Sequence, residues 1–264
     1  MSGVAIVTGA ARGIGAATVA ALAAEGRRVV AVDRGADDER LPYAMASAAD
    51  LEATVAAANE AAGEERVRAE LLDATDPNAM AALVGRAEEW GGVEAIVANA
   101  GVIAGGPPAW ELAQAEEDAV VEVCLRGVMV AARVGIPALL RRHEPRAGRF
   151  VATASAASFR GLPGLAAYCA AKAGVSGFVR ALAADLRGTG ITAFAVAPGS
   201  TDTPILAESA RLYDLESAAA FSHQQPIERL LDPTEIAATI AWLCGPAGAA
   251  VTGTTLSIDG GLTI

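Results

Sequence analysis

Several features that define whole classes of protein are scarce in this chain of 264 residues. It has three cysteines, two histidines and only 4% aromatic residues. Cys124, Cys169 and Cys244 are an odd number without CxxC spacing, so neither a disulfide framework nor a zinc knuckle is predicted, and we expect reduced thiols. His143 and His223 are isolated from other metal-binding side chains, and we therefore predict no metal site.

Positive charge is also scarce, because 20 Lys and Arg residues face 31 Asp and Glu residues and the net charge is -11. Nucleic acids and anionic membranes bind clustered cations, so we predict neither as a partner. The apolar run that begins at Val4 follows Met1 without the basic region of a signal peptide, and no apolar run reaches the roughly 18 residues of a membrane span. We expect a cytoplasmic protein, and the absence of repeats and linkers predicts one domain over residues 1–264.

Short β-branched runs alternate with alanine-rich stretches of helical periodicity. This alternation predicts an α/β fold, with a doubly wound parallel sheet that carries helices on both faces. Seven strands are predicted, at Val4–Thr8, Arg28–Asp33, Val67–Leu72, Ala95–Ala98, Arg149–Thr153, Thr192–Val196 and Thr255–Ile258. The helices predicted between them include Ala16–Glu25, Asn78–Trp90, Glu116–His143, Ala166–Leu186 and Thr234–Leu243. Asp76 and Asp232 each precede a proline and are predicted to be helix caps rather than catalytic acids.

Two stretches are longer than the usual connections of such a fold. Residues 34–50 contain the acidic run Asp37 to Glu39 and the turn-like sequence Leu41-Pro42-Tyr43. Residues 204–227 are mostly polar or small. Long loops in a compact domain are usually functional or disordered, so both stretches are candidates for a functional role.

A glycine-rich turn follows the first predicted strand, as Thr8-Gly9-Ala10-Ala11-Arg12-Gly13-Ile14-Gly15. Glycines permit a tight turn and a close approach of a pyrophosphate to the start of the next helix. Asp33 ends the second predicted strand near the offset at which a carboxylate binds the ribose hydroxyls, which favours NAD over NADP. Arg12 and Arg34 lie close enough in sequence to soften that preference. A plain turn and a strand-end aspartate are the alternatives.

Tyr168 and Lys172 stand four residues apart in a predicted helix and therefore share one face. A phenol can exchange protons near neutral pH if a neighbouring ammonium stabilises its phenolate. Ser155 follows the fifth predicted strand, where its hydroxyl could hydrogen-bond a substrate oxygen. An exposed tyrosine beside a solvated lysine is the alternative reading.

With these residues the chain resembles the short-chain dehydrogenase/reductase family over essentially its whole length. The motifs that carry the resemblance are TGAARGIG at Thr8–Gly15, Asp73 in LLDAT, NAG at Asn99–Gly101, Ser155, YCAAK at Tyr168–Lys172, PGSTDT at Pro198–Thr203 and IDGG at Ile258–Gly261. The resemblance implies a single-domain Rossmann fold that both binds the dinucleotide and carries the catalytic residues. It implies NAD contacts from Gly9, Arg12, Gly13, Ile14, Gly15, Asp33, Arg34, Asp73, Ala74, Asn99, Ala100, Gly101, Tyr168, Lys172, Pro198, Gly199, Thr201 and Thr203. Asn99 could instead be a turn former, and Thr203 a helix cap.

The resemblance also implies a reaction, the transfer of a hydride between a secondary alcohol and the nicotinamide. Tyr168 would be the general base in oxidation and the general acid in reduction, Ser155 would hold the substrate oxygen, and Lys172 would lower the pKa of Tyr168. The family usually has Asn where this chain has Cys124, which puts the proton relay that this Asn supports in doubt. Cys124 could be redox-active or a small apolar filler in a packed helix.

The stretch at residues 34–50 is similar to an insertion in the mycofactocin-associated subgroup of the family. That similarity implies a lid over the adenosine, an NAD that does not exchange, and reoxidation by mycofactocin as electron carrier. A mobile surface loop is the alternative. Residues 204–227 are expected to be the substrate lid, and their apolar residues predict a hydrophobic alcohol or ketone, or an oligomer contact. Family resemblance further implies a homotetramer.

Two other functions remain open at this point. One is an ordinary carbonyl reductase or alcohol dehydrogenase with exchangeable NAD(P). The other is a dinucleotide-binding sensor in which the replacement at Cys124 marks lost catalysis, although the intact Ser155, Tyr168 and Lys172 argue against it.

Overall fold

The seven predicted strands form one parallel sheet in the computed structural model, which describes residues 3–264. The strand order is β3-β2-β1-β4-β5-β6-β7. The strand bounds are β1 Val4–Thr8, β2 Arg28–Asp33, β3 Val67–Leu71, β4 Val93–Ala98, β5 Arg149–Thr153, β6 Thr192–Pro198 and β7 Thr255–Ile258. This confirms the single-domain Rossmann fold, and each predicted strand lies within two residues of its observed bounds.

Helices cover both faces of the sheet. Their bounds are α1 Gly13–Ala24, α2 Ala48–Ala62, α3 Pro77–Gly91, α4 Gln114–Val121, α5 Gly127–Arg141, α6 Ala166–Asp185, α7 Pro204–Leu212 and α8 Pro233–Cys244. A π-helical segment, Glu122–Arg126, joins α4 to α5, and short 3₁₀ turns occupy 156–158, 218–224 and 246–250. Asp76 and Asp232 cap α3 and α8 through their carboxylates, as predicted.

Alternate side chains of the central strand enter different cores. Val4 and Ile6 of β1 pack in the core on the side of α3, α5 and α6, whereas Ala5 and Val7 pack in the core on the side of α1 and α8. A strand buried on both faces has no polar positions, which is why its sequence is a continuous apolar run. Because β1 and β4 are neighbours while their chain connections lead to opposite sides, a crevice opens at their carboxyl ends.

The structure corrects three sequence-based expectations about the segments between the strands. Residues 204–227 are not an extended loop, since Thr203 caps α7, Pro204 occupies its first position and a 3₁₀ turn follows at 218–224. The helix predicted over 116–143 is interrupted by the π-helical segment and ends at Arg141. Residues 34–50 shorten to 34–47, because Ser47 and Asp50 form a capping box that starts α2 at Ala48.

One helical stretch, Gln114–Arg141, is long and apolar enough to cross a membrane by length and composition, with a mean hydropathy of 1.7. Charged residues divide this stretch, so it contains no uninterrupted apolar run of the length of a membrane span. The most apolar 18 residues of this stretch are 56% buried inside the chain, and α5 packs against α3 and β4. We therefore assign this stretch to the core.

Candidate active site

A cavity of about 700 Å³ lies outside the carboxyl ends of β1, β2, β4, β5 and β6. Every predicted catalytic and cofactor-binding residue lines it except Gly15. The fold therefore brings residues that are far apart in the sequence together around one cavity.

Gly15 acts one layer below the cavity. A Cβ added there would lie 1.9 Å from the Gly9 carbonyl oxygen, so only glycine lets α1 pack against the turn. Gly9 and Gly13 have φ values of 67° and 57°, a region that other residues rarely adopt. Arg12, which precedes α1, makes no side-chain cap, so no side chain covers the N–H groups of the first helical turn. This cradle fits a pyrophosphate.

The Asp33 carboxylate lines the cavity beside the glycine turn. It accepts hydrogen bonds from the Ala11 N–H at 3.0 Å and the Gly35 N–H at 3.3 Å. Since a carboxylate has about four acceptor positions, Asp33 retains capacity for the hydroxyl groups of a ligand. Arg34, which could attract a phosphate, is paired with Asp38 at 3.0 Å.

Residues 34–47, which we call the strap, are tied to the helix above them by an ion-pair network. Arg40 binds both carboxylate oxygens of Asp38, at 2.9 and 2.7 Å, and Glu122 at 2.6 Å. Asp38 is only 5% exposed, and the hydrogen bonds from Arg40 hold the pKa of its carboxyl well below the usual range. The network fastens the strap to the π-helical segment.

A buried tyrosine anchors the other half of the strap. The Tyr43 hydroxyl accepts a hydrogen bond of 2.9 Å from the Ile103 N–H, and burial raises the pKa of Tyr43 to about 12. Leu41 is buried in a cluster with Cys124, and Tyr43 and Tyr168 pack against that cluster. Sequence reasoning missed these anchors. The apolar residues in an otherwise polar stretch were their only signal.

Of the three predicted catalytic residues, Ser155 lies just after β5, and Tyr168 and Lys172 lie in α6. Ser155 Oγ accepts a hydrogen bond of 3.2 Å from the Ala157 N–H. Lys172 Nζ donates to the Thr153 carbonyl at 2.7 Å and lies 5.7 Å from the centre of the Tyr168 ring. Tyr168 and Lys172 share one face of α6, as their spacing predicts.

Burial controls the protonation of this group. It raises the pKa of the Tyr168 phenol, against the lowering effect of the hydrogen bond with Ser155. It also lowers the pKa of the Lys172 ammonium. Burial has the larger effect on the phenol, so the pKa of Tyr168 is raised although the Lys172 ammonium lies 5.7 Å from its ring centre. That Lys172 lowers the pKa of Tyr168 stays a prediction.

Cys124 lies in the π-helical segment and is fully buried. Its Sγ donates to the Val102 carbonyl at 3.1 Å and accepts from the Val102 N–H at 3.4 Å. The thiol is therefore more than an apolar filler, since it bonds both backbone polar groups of Val102, which lines the cavity. The thiol of Cys169 is only partly buried, and its Sγ lies 3.8 Å from the Arg160 carbonyl oxygen.

Asn99 ties together three strand ends. Its Nδ2 lies 3.2 Å from both the Thr8 and Gly9 carbonyls, and its Oδ1 accepts a hydrogen bond of 3.0 Å from Thr153 Oγ1. These partners are 54 to 91 positions away in the chain, so the side chain joins strand ends and does more than form a local turn. Thr203 also caps α7, with the Leu206 N–H at 3.4 Å from its hydroxyl.

The apolar end of the cavity is formed by α7, the 3₁₀ turn after it and the loop after Ser155. Tyr213 meets Phe221 edge to face at 6.1 Å and donates a hydrogen bond of 2.7 Å to the Pro163 carbonyl. Sequence reasoning missed several residues at this end, for which no sequence signal was available. They are Arg160, Leu162, Pro163, Gln224 and Leu262.

No group of three or more His, Cys, Asp or Glu side chains within residues 3–264 could hold a metal ion. What the cavity offers is a backbone cradle, the Asp33 carboxylate beside it, and a phenol beside a serine hydroxyl. Such a site can bind a dinucleotide and exchange a proton with a substrate oxygen.

Comparisons with known proteins agree with this arrangement. A family model described as Enoyl-(Acyl carrier protein) reductase matches residues 9–263. The chain is 38% identical over 263 residues to cis-4-hydroxycyclohexanecarboxylate dehydrogenase of Sinomonas cyclohexanicum, which covers 98% of this chain and 96% of that protein.

Solved structures are similar over nearly the whole chain. Carveol dehydrogenase from Mycobacterium avium in complex with NAD has a TM-score of 0.91 at 29% identity and covers 98% of this chain and 97% of its own. A variant of actinorhodin polyketide ketoreductase with NADPH has a TM-score of 0.88 at 35% identity and covers 99% and 97%. The similar structures therefore include both an NAD complex and an NADPH complex.

Proposed function

The chain belongs to the short-chain dehydrogenase/reductase family and is an oxidoreductase of alcohols and ketones, and we propose that it transfers a hydride between NAD and a hydrophobic secondary alcohol. The observation that carries the proposal is the convergence of Ser155, Tyr168 and Lys172 on the cavity that the glycine turn also lines. The named reactions of relatives, on a hydroxycyclohexanecarboxylate and on carveol, support an alicyclic alcohol or its ketone as substrate.

The protein contributes proton transfer and orientation. When bound, the nicotinamide supplies the site that accepts or donates the hydride. The Tyr168 hydroxyl takes the proton of the alcohol in oxidation and returns it to the carbonyl oxygen in reduction. Ser155 Oγ accepts from the Ala157 N–H, and its own proton, which is shared with Tyr168 in this structure, would be donated to the substrate oxygen when a substrate binds.

Lys172 has a positioning role in this proposal. Its ammonium, held by the Thr153 carbonyl, keeps a positive charge beneath the Tyr168 ring. That charge favours the phenolate that forms during oxidation, in a site where burial alone opposes it.

The charges near the glycine turn support NAD rather than NADP. Asp33 lines the cavity, and the family resemblance places it where a 2′-phosphate would bring a second negative charge. Of the two arginines that could offset this, Arg34 pairs with Asp38 and Arg12 donates to the Ala44 carbonyl at 3.3 Å. Repulsion between carboxylates and phosphate then disfavours NADP.

We further propose that the strap is a lid that slows release of NAD. The network of Arg40 and the hydrogen bond of Tyr43 must both break before the strap can leave the cavity. A cofactor held in this way is reoxidised in place, and mycofactocin is the proposed electron carrier. Residues 204–227 form the substrate lid, and the protein is proposed to be a cytoplasmic homotetramer.

Denaturation of the purified protein and identification of the released nucleotide test the cofactor. Stoichiometric NAD after gel filtration, with alcohol oxidation supported by an artificial electron acceptor but not by added NAD, is the expected result. Rapid exchange with free NAD would instead favour an ordinary dehydrogenase with an exchangeable cofactor.

The Tyr168→Phe variant tests the reaction itself. We expect it to lose turnover while it keeps the same amount of bound nucleotide, because Tyr168 acts on the proton. Turnover at the wild-type rate would eliminate the mechanism.

A further inference from the structure

We infer that the substrate carries a carboxylate and that Arg160 binds it. This inference rests on the proposed function and extends it to the charge of the substrate. It starts from the distribution of charge in the cavity.

The two ends of the cavity differ in charge. Carboxylates are confined to the end at the glycine turn, where Asp33, Asp38 and Asp73 line the wall. From Ser155 to the carboxyl terminus, no Asp or Glu lines the cavity, and the only charged lining residues are Arg160 and Lys172. Lys172 is already engaged by the Thr153 carbonyl at 2.7 Å.

Arg160 differs from most arginines of the chain in having no carboxylate partner. Within residues 3–264 the contact of its guanidinium is Nη1 with the Leu262 carbonyl at 3.3 Å. A guanidinium has five N–H donors, so most of its capacity remains available. No acidic residue of 204–227 lines the cavity, and Glu208 in α7 is only 7% exposed and is paired with Arg211 at 2.6 Å.

The position of Arg160 suits a group at the far end of a substrate. The Arg160 N–H bonds to the Ala156 carbonyl at 3.1 Å, so the residue lies one turn beyond Ser155. Its side chain reaches Leu262, which also lines the cavity. A substrate whose hydroxyl meets Ser155 and Tyr168 would place its apolar body against Phe221 and its carboxylate at this guanidinium. A guanidinium binds a carboxylate through two parallel hydrogen bonds.

Binding measurements test the inference without any turnover. Cyclohexanecarboxylate and cyclohexanecarboxamide have nearly the same shape and differ in charge. We expect wild-type holoprotein to bind the carboxylate more tightly, and Arg160→Gln to weaken carboxylate binding about tenfold while leaving carboxamide binding unchanged. Arg187→Gln, at an exposed arginine that does not line the cavity, should change neither.

Two results would overturn the inference. One is equal binding of both probes by the wild type. The other is an equal loss of both in Arg160→Gln, which would mean that Arg160 only supports the segment at Leu262. Arg160→Lys should recover part of the carboxylate affinity, because it restores the charge but not the paired hydrogen bonds.

Turnover separates this inference from the proposed function. For a hydroxycyclohexanecarboxylate, Arg160→Gln should raise KM about tenfold with little change in kcat. If the wild type oxidises cyclohexanol and the hydroxycyclohexanecarboxylate with the same kcat/KM, and Arg160→Gln changes neither value, the carboxylate inference is refuted and the proposed function stands. Failure of both proteins to oxidise any alcohol would refute the proposed function, while the binding comparison still decides the role of Arg160.

Discussion

Replacement of Tyr43 by Phe provides the sharpest test of the strap as a lid. The Tyr43 hydroxyl is the acceptor for the Ile103 N–H at 2.9 Å, and Ile103 is only 2% exposed. Phenylalanine keeps the ring that packs in the cluster of Leu41 and Cys124. The variant therefore removes one acceptor and leaves a buried N–H without a partner while the strap is closed.

The magnitude follows from the cost of that unpaired group. A buried donor left without an acceptor costs about 1–3 kcal/mol, and water can satisfy the same N–H when the strap opens. Since 1.4 kcal/mol corresponds to a factor of ten, the open form should become about 5 to 150 times more populated. If opening limits NAD release, the release rate should rise by the same factor.

The assay is exchange of bound nucleotide against excess labelled NAD, followed by gel filtration at increasing times. Tyr213→Phe is the matched control, because it removes a tyrosine hydroxyl that donates to the Pro163 carbonyl at the substrate end of the same cavity. That variant should release NAD at the wild-type rate. An unchanged release rate in a correctly folded Tyr43→Phe protein would refute the role of the strap, and so would equal acceleration by both variants.

Three further predictions concern the glycine turn, the buried thiol and the phenol. Gly15→Ala should abolish nucleotide binding and lower Tm by several degrees, because its Cβ would clash with the Gly9 carbonyl oxygen. Gly85→Ala in α3 is the control. Nothing lies within 4 Å of its Cβ, so thermal unfolding should show a gain in stability of about 0.5–1 kcal/mol. Cys124→Ala should cost about 1–3 kcal/mol because it leaves the N–H and the carbonyl of buried Val102 without their partner. Cys124→Asn can bond both groups again and should recover stability and kcat. Burial raises the pKa of Tyr168, and pH profiles of kcat/KM should show the consequence. Alcohol oxidation needs the phenolate, so it should accelerate as pH rises through the alkaline range. Ketone reduction needs the phenol, so it should slow at the alkaline end.

Each of these predictions has an outcome that contradicts it. Equal stability of the two glycine variants would mean that the turn can move away from α1. An Asn variant of Cys124 no better than the Ala variant would show that the thiol only fills space. A pH-independent oxidation rate would indicate that Tyr168 does not transfer the proton in the rate-limiting step.

The sequence by itself determined the sheet. Parallel strands that are buried on both faces have no polar positions, so they are short apolar runs in the sequence. The run VAIVT of β1, which is buried at every position, is one of them. The glycine turn and the spacing of Tyr168 and Lys172 were also readable, because both depend on local geometry, the φ of a glycine and the turn of a helix.

Tertiary structure alone decided which distant side chains contact one another around the cavity and how burial shifts their pKa values. The pairing of Arg40 with Glu122 joins residues 82 positions apart, and the hydrogen bond of Tyr43 to Ile103 joins residues 60 positions apart. The environment of Tyr168 also depended on packing, since burial, which no spacing reveals, raises its pKa. Local sequence patterns fix secondary structure through short-range sterics and hydrogen bonds. The contacts of the strap, of residues 204–227 and of Arg160 depend instead on how distant segments pack.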